Sequence, residues 1–172
     1  MTIQFNINSQ KAIEAILWVI QKGESNLYNI MKILYSADKH HLNSYGRPVT
    51  GDKYIAMEYG TVPSWIYGAI QLKRQELGFA RNGNNLSADR SPDVNYFSES
   101  DIEALEIGFK EYAGKNFGEV KKKNHAEPAW KKAYENRGDN EAAEIPFEDI
   151  IENQEVREYL DDLGGMTVNM VL

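Results

Sequence analysis

Three histidines, His40, His41 and His125, are the side chains best suited to metal or proton chemistry. Neighbouring helix positions point about 100° apart, so His40 and His41 cannot share one ion in the i, i+4 manner. Asp38 and His41 are spaced to share a helix face, and with His125 they would offer three ligands to the zinc of a metal-dependent hydrolase. The competing account packs His41 in a helix interface and leaves His125 to hold a loop by hydrogen bonds. With no cysteine in the chain, a thiolate nucleophile, a cysteine zinc site and a disulfide framework are excluded. No serine stands in a Gly-x-Ser-x-Gly elbow, and no phosphate-binding or dinucleotide fingerprint occurs. The residues therefore predict no catalytic group, no metal and no cofactor.

Two other groupings are suited to contact. Lys121-Lys122-Lys123, with His125, Lys131 and Lys132, is the basic cluster of the chain, but acidic sequence flanks it. It predicts a solvated helix face sooner than a nucleic-acid surface, which wants clustered cations on a basic protein. The aromatics Tyr45, Tyr54, Tyr59, Trp65 and Tyr67 crowd into 23 residues, interleaved with Gly46, Arg47, Gly60 and Pro63. Tyr and Trp combine large contact area with a polar tip, the composition of binding hot spots. Part of this cluster is expected to be core and part exposed.

The elements that must position these residues are mostly helical. Ala12, Ile13, Ile16, Leu17 and Ile20 recur at helical spacing over residues 9–22, with Asn8 or Ser9 to cap and Gly23 to stop. A second helix is predicted over 26–45, capped by Ser25 and ended by Gly46. Together they make an αα-hairpin with facing apolar stripes. Residues 47–60 carry short extended signals. A third helix is predicted from about 63 to 77, with Pro63 at its start and Gly78 closing it. Asn82-Gly83 marks a hairpin or polar loop. Ser98 and Asp101 form a capping box opening a helix with Ile102, Leu105, Phe109 and Tyr112 on one face. Shorter helices are predicted from Phe117 to Lys123 and from Pro128 to Tyr134. Residues 136–144 read as a linker, followed by acidic helices over 147–152 and 154–163. The end, Met166–Leu172, reads equally as an edge strand or a disordered terminus. The fold class is mainly α, an α+β chain with a small β element, in a compact multi-helix domain opened by an αα-hairpin.

The 172 residues carry 19 Lys and Arg against 26 Asp and Glu, a formal net charge of −7. Residues 1–100 are nearly balanced, whereas Asp139–Asp162 holds ten carboxylates against Arg157 alone. The chain thus divides into a domain over 1–135 and an acidic helical extension over 136–172 with a short apolar tail. That extension is either a solvated face or a surface for a basic partner. No apolar run approaches the ~20 residues of a membrane span, and no signal peptide is evident. A cytoplasmic protein that avoids membranes is expected, with nucleic acid unlikely to be its partner.

At this point the residues carry a resemblance. The run Lys32-Ile33-Leu34-Tyr35-Ser36-Ala37-Asp38, then Leu42 and Tyr45-Gly46-Arg47-Pro48-Val49-Thr50-Gly51-Asp52, resembles the Panacea domain, the SocA-like antitoxin family. The likeness continues through Tyr54-x-Ala56-Met57-x-x-Gly60-x-Val62-Pro63-Ser64-x-x-Tyr67. It returns in Ser98-x-Ser100-Asp101-Ile102-x-Ala104-Leu105 and in His125-x-x-Pro128-x-Trp130-x-x-Ala133. Thr61 departs from the proline usual there.

The resemblance implies an antitoxin module, often encoded beside its toxin in phages, prophages or mobile elements, with no enzymatic activity. It implies a cognate toxin protein as partner, neutralised by direct contact. The alternative is an adaptor that delivers bound toxin to a cytoplasmic protease complex, for which the apolar Met170-Val171-Leu172 end is the relevant feature. On this reading Tyr45, Arg47, Asp52, Tyr59, Trp65 and Tyr67 contact the partner or shape the patch. Gly46, Gly60 and Pro63 set the backbone, and His125 and Trp130 brace the patch from the second motif.

Overall fold

The computed structural model describes residues 3–164 and 169–171. The fold is mainly α with a small β element, as the periodicity predicts. Helix α1 (Ser9–Lys22) starts where the Asn8 side chain accepts the Lys11 N–H, and stops at Gly23. Helix α2 (Leu27–Tyr45) is capped by Asn26, one residue later than expected, whose side chain accepts the Asn29 N–H. Gly46, left-handed at φ 77°, ends it. Buried on nearly every side, α2 is the central rod, and it carries Asn29, Lys32, Ser36, Asp38 and His41 into the interior with its aliphatic residues.

Strand β2 (Tyr54–Met57) is the middle of a three-stranded antiparallel sheet. On one side it pairs β3 (Gly60–Pro63), in register from Tyr54↔Pro63 to Met57↔Gly60. Helix α3 (Ser64–Gln71) follows and is shorter than the predicted 63–77. Lys73 takes a left-handed φ of 51°, and the Lys73 and Arg74 N–H groups turn back to the Ile70 and Ala69 carbonyls. Such a closure normally uses glycine, so a lysine there gave no warning. Strands β4 (Phe79–Asn82) and β5 (Asn85–Ala88) form the hairpin. Its turn is Gly83-Asn84, not Asn82-Gly83, because Asn82 pairs Asn85.

Helix α4 (Glu99–Tyr112) opens on the predicted capping box, Ser98 and Asp101 each accepting the other's backbone N–H. It lies against α2 so closely that a Cβ on Gly108 would stand 2.5 Å from the Ile33 carbonyl oxygen. Helices α5 (Phe117–His125) and α6 (Pro128–Glu135) pack at the other end of the sheet. The predicted linker contains β6 (Ala143–Ile145), which pairs the free side of β2. Helices α7 (Phe147–Ile150) and α8 (Gln154–Gly164) complete the body. Asn169–Val171 (β7) runs parallel to β1 (Gln4–Asn6), so this part of the tail is strand; the rest of 166–172, with the expectation placed on it, lies outside the described residues.

Two cores result. One gathers α1, α2, α3, α4 and the hairpin around Ile16, Ile30, Leu34, Ile66 and Leu105. The other gathers β1, β2 and α6–α8 around Phe5, Tyr35, Tyr54, Trp130, Phe147 and Leu160. The acidic segment contributes Ile145, Phe147, Ile150, Ile151 and Leu160 to the second core, and all its carboxylates but Glu148 and Asp149 are exposed. Among the described residues no helix is long and apolar enough to cross a membrane.

Candidate interaction groove

The three carboxylates of the quoted motifs, Asp38, Asp52 and Asp101, are occupied inside the molecule. Asp38 is buried, accepting the Thr50 N–H at 2.8 Å, the Thr50 hydroxyl at 2.6 Å and the Tyr54 hydroxyl at 2.7 Å. Burial raises its carboxyl above the ordinary range, against the pull of these bonds. Asp52, also buried, accepts the Trp65 and Ile66 N–H groups at 2.9 and 3.0 Å, capping α3 from outside its own sequence. Burial pushes its carboxyl up to about 6. Asp101 joins α1 to α4 through Lys11 Nζ at 2.8 Å and receives Arg47 Nη1 at 3.0 Å.

Asp38, His41 and His125 are not gathered into the metal-binding trio that the sequence suggested. His41 binds the Arg47 carbonyl through Nδ1 at 2.7 Å and Ser100 Oγ through Nε2 at 2.8 Å. His125 stacks on Trp130 at 3.9 Å, and Asp38 is spent on Thr50 and Tyr54. Among the described residues no cluster of three or more His, Cys, Asp or Glu could hold a metal.

The aromatic segment 45–67 does not form one patch. Tyr45, 52% exposed, lies over the His41 ring at 4.7 Å and reaches Glu103. Arg47 is half-buried on Asp101 and Ser98. Trp65 packs on the first core, beside Phe5, Ile7 and Ser64, with Arg74 over its ring. Tyr67, two positions on, leaves α3 on the other side, because residues two apart on a helix do not share a face. Pro63 is buried at the end of β3, and Gly46 lies under Tyr159.

Tyr59 and Tyr67 do line one groove together. One wall is the first two turns of α2, with Leu27, Tyr28 and Met31; the other is the β2–β3 turn, with Met57, Glu58, Tyr59 and Val62. Arg81 and Asn84 of the hairpin close one end, and Lys32 lies at the floor. The Tyr28 hydroxyl donates to the Tyr59 carbonyl at 2.6 Å and ties the walls together. Phe117, at the first turn of α5, lies 4.7 Å from the Tyr28 ring and 5.5 Å from that of Tyr59, with Lys121 over the Tyr59 ring. Tyr59 and Phe117 are about half exposed, at 49% and 51%.

The second motif supports the groove from behind. Trp130 Nε1 donates to the Met57 carbonyl at 2.9 Å, and His125 is hydrogen-bonded to the Glu58 backbone. Asn124 is fully buried; its Oδ1 accepts the Thr61 N–H at 2.7 Å and its Nδ2 reaches the Thr61 hydroxyl at 3.0 Å. Gly60, at φ 123°, passes so close that a Cβ would lie 2.1 Å from Asn124 Oδ1. Tyr28, Lys32 and Phe117 were not foreseen as groove residues. Phe117 directly follows the Asn116 cap, where an aromatic has no intrahelical role, and this exposed placement is the signal that could have found it.

The fold is a mainly helical domain in which Asp38, Asp52 and Asp101 hold backbone turns in place. The chain belongs to the family described as Antitoxin SocA-like, Panacea domain, whose model matches residues 30–131. The matched span runs from the buried face of α2 through the groove to Trp130 and Lys131 on α6. Comparison with curated proteins and with solved structures gives no match.

Proposed function

We propose that this protein is an antitoxin that neutralises a cognate toxin by direct contact, with the groove between α2 and the β2–β3 turn as its docking site. Family membership supports an antitoxin role. The observation that carries the choice of surface is the half-exposed pair Tyr59 and Phe117 at the mouth of an apolar groove. Exposed aromatics that already rest on their neighbours lose little side-chain freedom on binding and remove much apolar area from water. The module works by occupancy: the buried Asp38, Asp52, Asp101 and His41 are engaged in internal hydrogen bonds that hold backbone turns in place.

The test is co-expression with the reading frame beside this gene. Wild type should restore growth to cells poisoned by that product and should co-purify with it. The double variant Tyr59→Ala with Phe117→Ala should lose both, at an unchanged circular-dichroism melt. A neighbouring product that is harmless, or full protection by the double variant, would overturn the reading.

A further inference from the structure

The groove is apolar on its walls and cationic at its floor, an unusual pairing on a protein of net charge −7. Lys32 is 1% exposed. Its Nζ donates to the Thr61 carbonyl at 3.0 Å and lies 4.2 Å from the centre of the Tyr28 ring. A carbonyl and a ring face use part of an ammonium's three-donor capacity and cancel none of its charge. Among the described residues no carboxylate pairs with Lys32, nor with Arg81 at the groove's end or Lys121 at its mouth. The positive end of the α2 dipole falls at Leu27 and Tyr28, on the same wall. The acids nearby are Glu58 on the rim, and Asp139 and Glu141 beyond the Met57–Glu58 turn.

A buried lysine without a counter-ion is expensive, and burial pushes this amine down to about 7. Its aliphatic stem could have been a methionine if packing were its whole purpose, since Met fills such space without a charge. Gly60 sharpens the point: a Cβ there would stand 2.9 Å from Lys32 Cε, so the β2–β3 turn is shaped around this side chain.

We infer that the groove accepts an apolar segment of the toxin bearing one Asp or Glu, whose carboxylate meets Lys32 while its apolar neighbours pack on Met31, Tyr59 and Val62. The inference rests on the docking site proposed above for whose segment it is; the chemistry it specifies belongs to the groove. Pairing inside an apolar cleft gives specificity, because a segment lacking the acid would leave the ammonium desolvated and alone. The charge pattern is opposite to that of the acidic outer face, so the partner recognised here is locally anionic.

The experiment needs no toxin. A random dodecapeptide library displayed on phage is panned against immobilised wild-type protein, and selected peptides are resynthesised with each acid changed to its amide. The expected winners combine aromatic or aliphatic residues with one Asp or Glu, and Tyr59→Ala weakens them. Changing that acid to the amide costs about thirtyfold or more in affinity for wild type, the scale of a lost buried charge partner. Against Lys32→Met the acid and amide forms should bind alike. If Lys32→Met does not fold, the Lys32 13Cε shift of wild type decides: it should move toward the ammonium value with the acid peptide and stay with the amide.

Recovery of no groove-binding peptide, no preference for acids, or an equal acid-to-amide cost against Lys32→Met would each overturn the inference. The two readings fail separately. Toxin neutralisation that needs Tyr59 but is indifferent to Lys32→Met would leave the docking site and remove the carboxylate. Acidic peptides on Lys32, with the Tyr59 and Phe117 variants still neutralising, would do the reverse.

Discussion

Lys11 Nζ lies 2.8 Å from Asp101 Oδ2, with both side chains out of solvent, so one ion pair fastens α1 to α4. The same carboxylate accepts the Ser98 N–H at 2.9 Å and Arg47 Nη1 at 3.0 Å, and stands 3.4 Å from His41 Nε2. Four segments of chain, among them the loop after α2 and the cap of α4, converge on one group. A carboxylate this fully bonded tolerates burial; its partners do not tolerate its loss.

Asp101→Asn should therefore lower the unfolding free energy by about 3–5 kcal/mol, the usual cost of leaving one half of a buried pair uncompensated. A lower urea midpoint at unchanged slope would show it. Burial alone would raise the Asp101 carboxyl, but bonds from Lys11, Ser98 and Arg47 outweigh it and hold the group below the ordinary range. Its contribution is then present above the unfolded value near ~3.9 and fades as pH falls through the lower folded value. The gap between wild type and variant should be widest near neutral pH and should narrow below about pH 4.

Two glycines make separable predictions. Gly108→Ala forces a methyl against the Ile33 carbonyl across the α2–α4 contact. It should cost about 1–3 kcal/mol, seen as a lower melting temperature, because backbone cannot step aside as a side chain can. Gly60→Ala combines a positive φ with a Cβ on Asn124 and Lys32. It should deform the groove as well, so wild-type peptide binding should fall by more than the melt predicts.

What was legible was local. The capping box at Ser98 and Asp101 and the stop at Gly46 are decided within a turn of helix, and the sequence displays both. Strand β6 was not legible: Ala143-Glu144-Ile145 is too short to show a period, and what makes it a strand is the free edge of β2. Helix α3 ended early because Lys73 adopts a conformation usually left to glycine. The crowding of aromatics over 45–67 was visible, but strand alternation and helix rotation send them to different places. Only Tyr59 and Tyr67 reach the groove. Lys32 read as one polar residue of a helix because burial on all sides of α2 depends on α1, α4 and α5 together.

Lys32 predicts a pH dependence of its own. Its folded pKa, about 7, lies below the unfolded value near ~10.4, so between these limits the unfolded chain holds more protons and stability rises with pH. Below about pH 7 both states are charged and the full burial cost remains. Lys32→Met should be more stable than wild type at pH 6, with the advantage shrinking toward pH 10, followed by urea midpoints across that range. His125 is a close charge neighbour, but burial lowers its imidazole below the ordinary 6.5, so its titration falls beneath this window.

Deleting residues 166–172 separates inhibition from delivery to a protease. The deletion removes the β7 partner of β1 and leaves the groove residues in place. Neutralisation by contact should survive, with the steady-state toxin level on an immunoblot unchanged from wild type. A rise in toxin level with loss of protection would assign the tail a part in degradation.

Trp65 and Tyr59 are alike in the sequence and should behave oppositely. Trp65 is half-buried on the first core and its backbone N–H is held by Asp52. Trp65→Ala should lose about 2 kcal/mol or more of stability, part of the cost of truncating a fully buried aromatic. Tyr59 is half exposed, and the bond that ties the groove walls runs from the Tyr28 hydroxyl to the Tyr59 main chain, not to its ring. Removing the ring keeps that tie, so Tyr59→Ala should melt within about 0.5 kcal/mol of wild type. Neutralisation should then fail in Tyr59→Ala with the fold intact, whereas any weakening in Trp65→Ala should track its lost stability and recover on cooling. A Tyr59→Ala protein that melts as low as Trp65→Ala would place the ring in the core and take the docking surface with it.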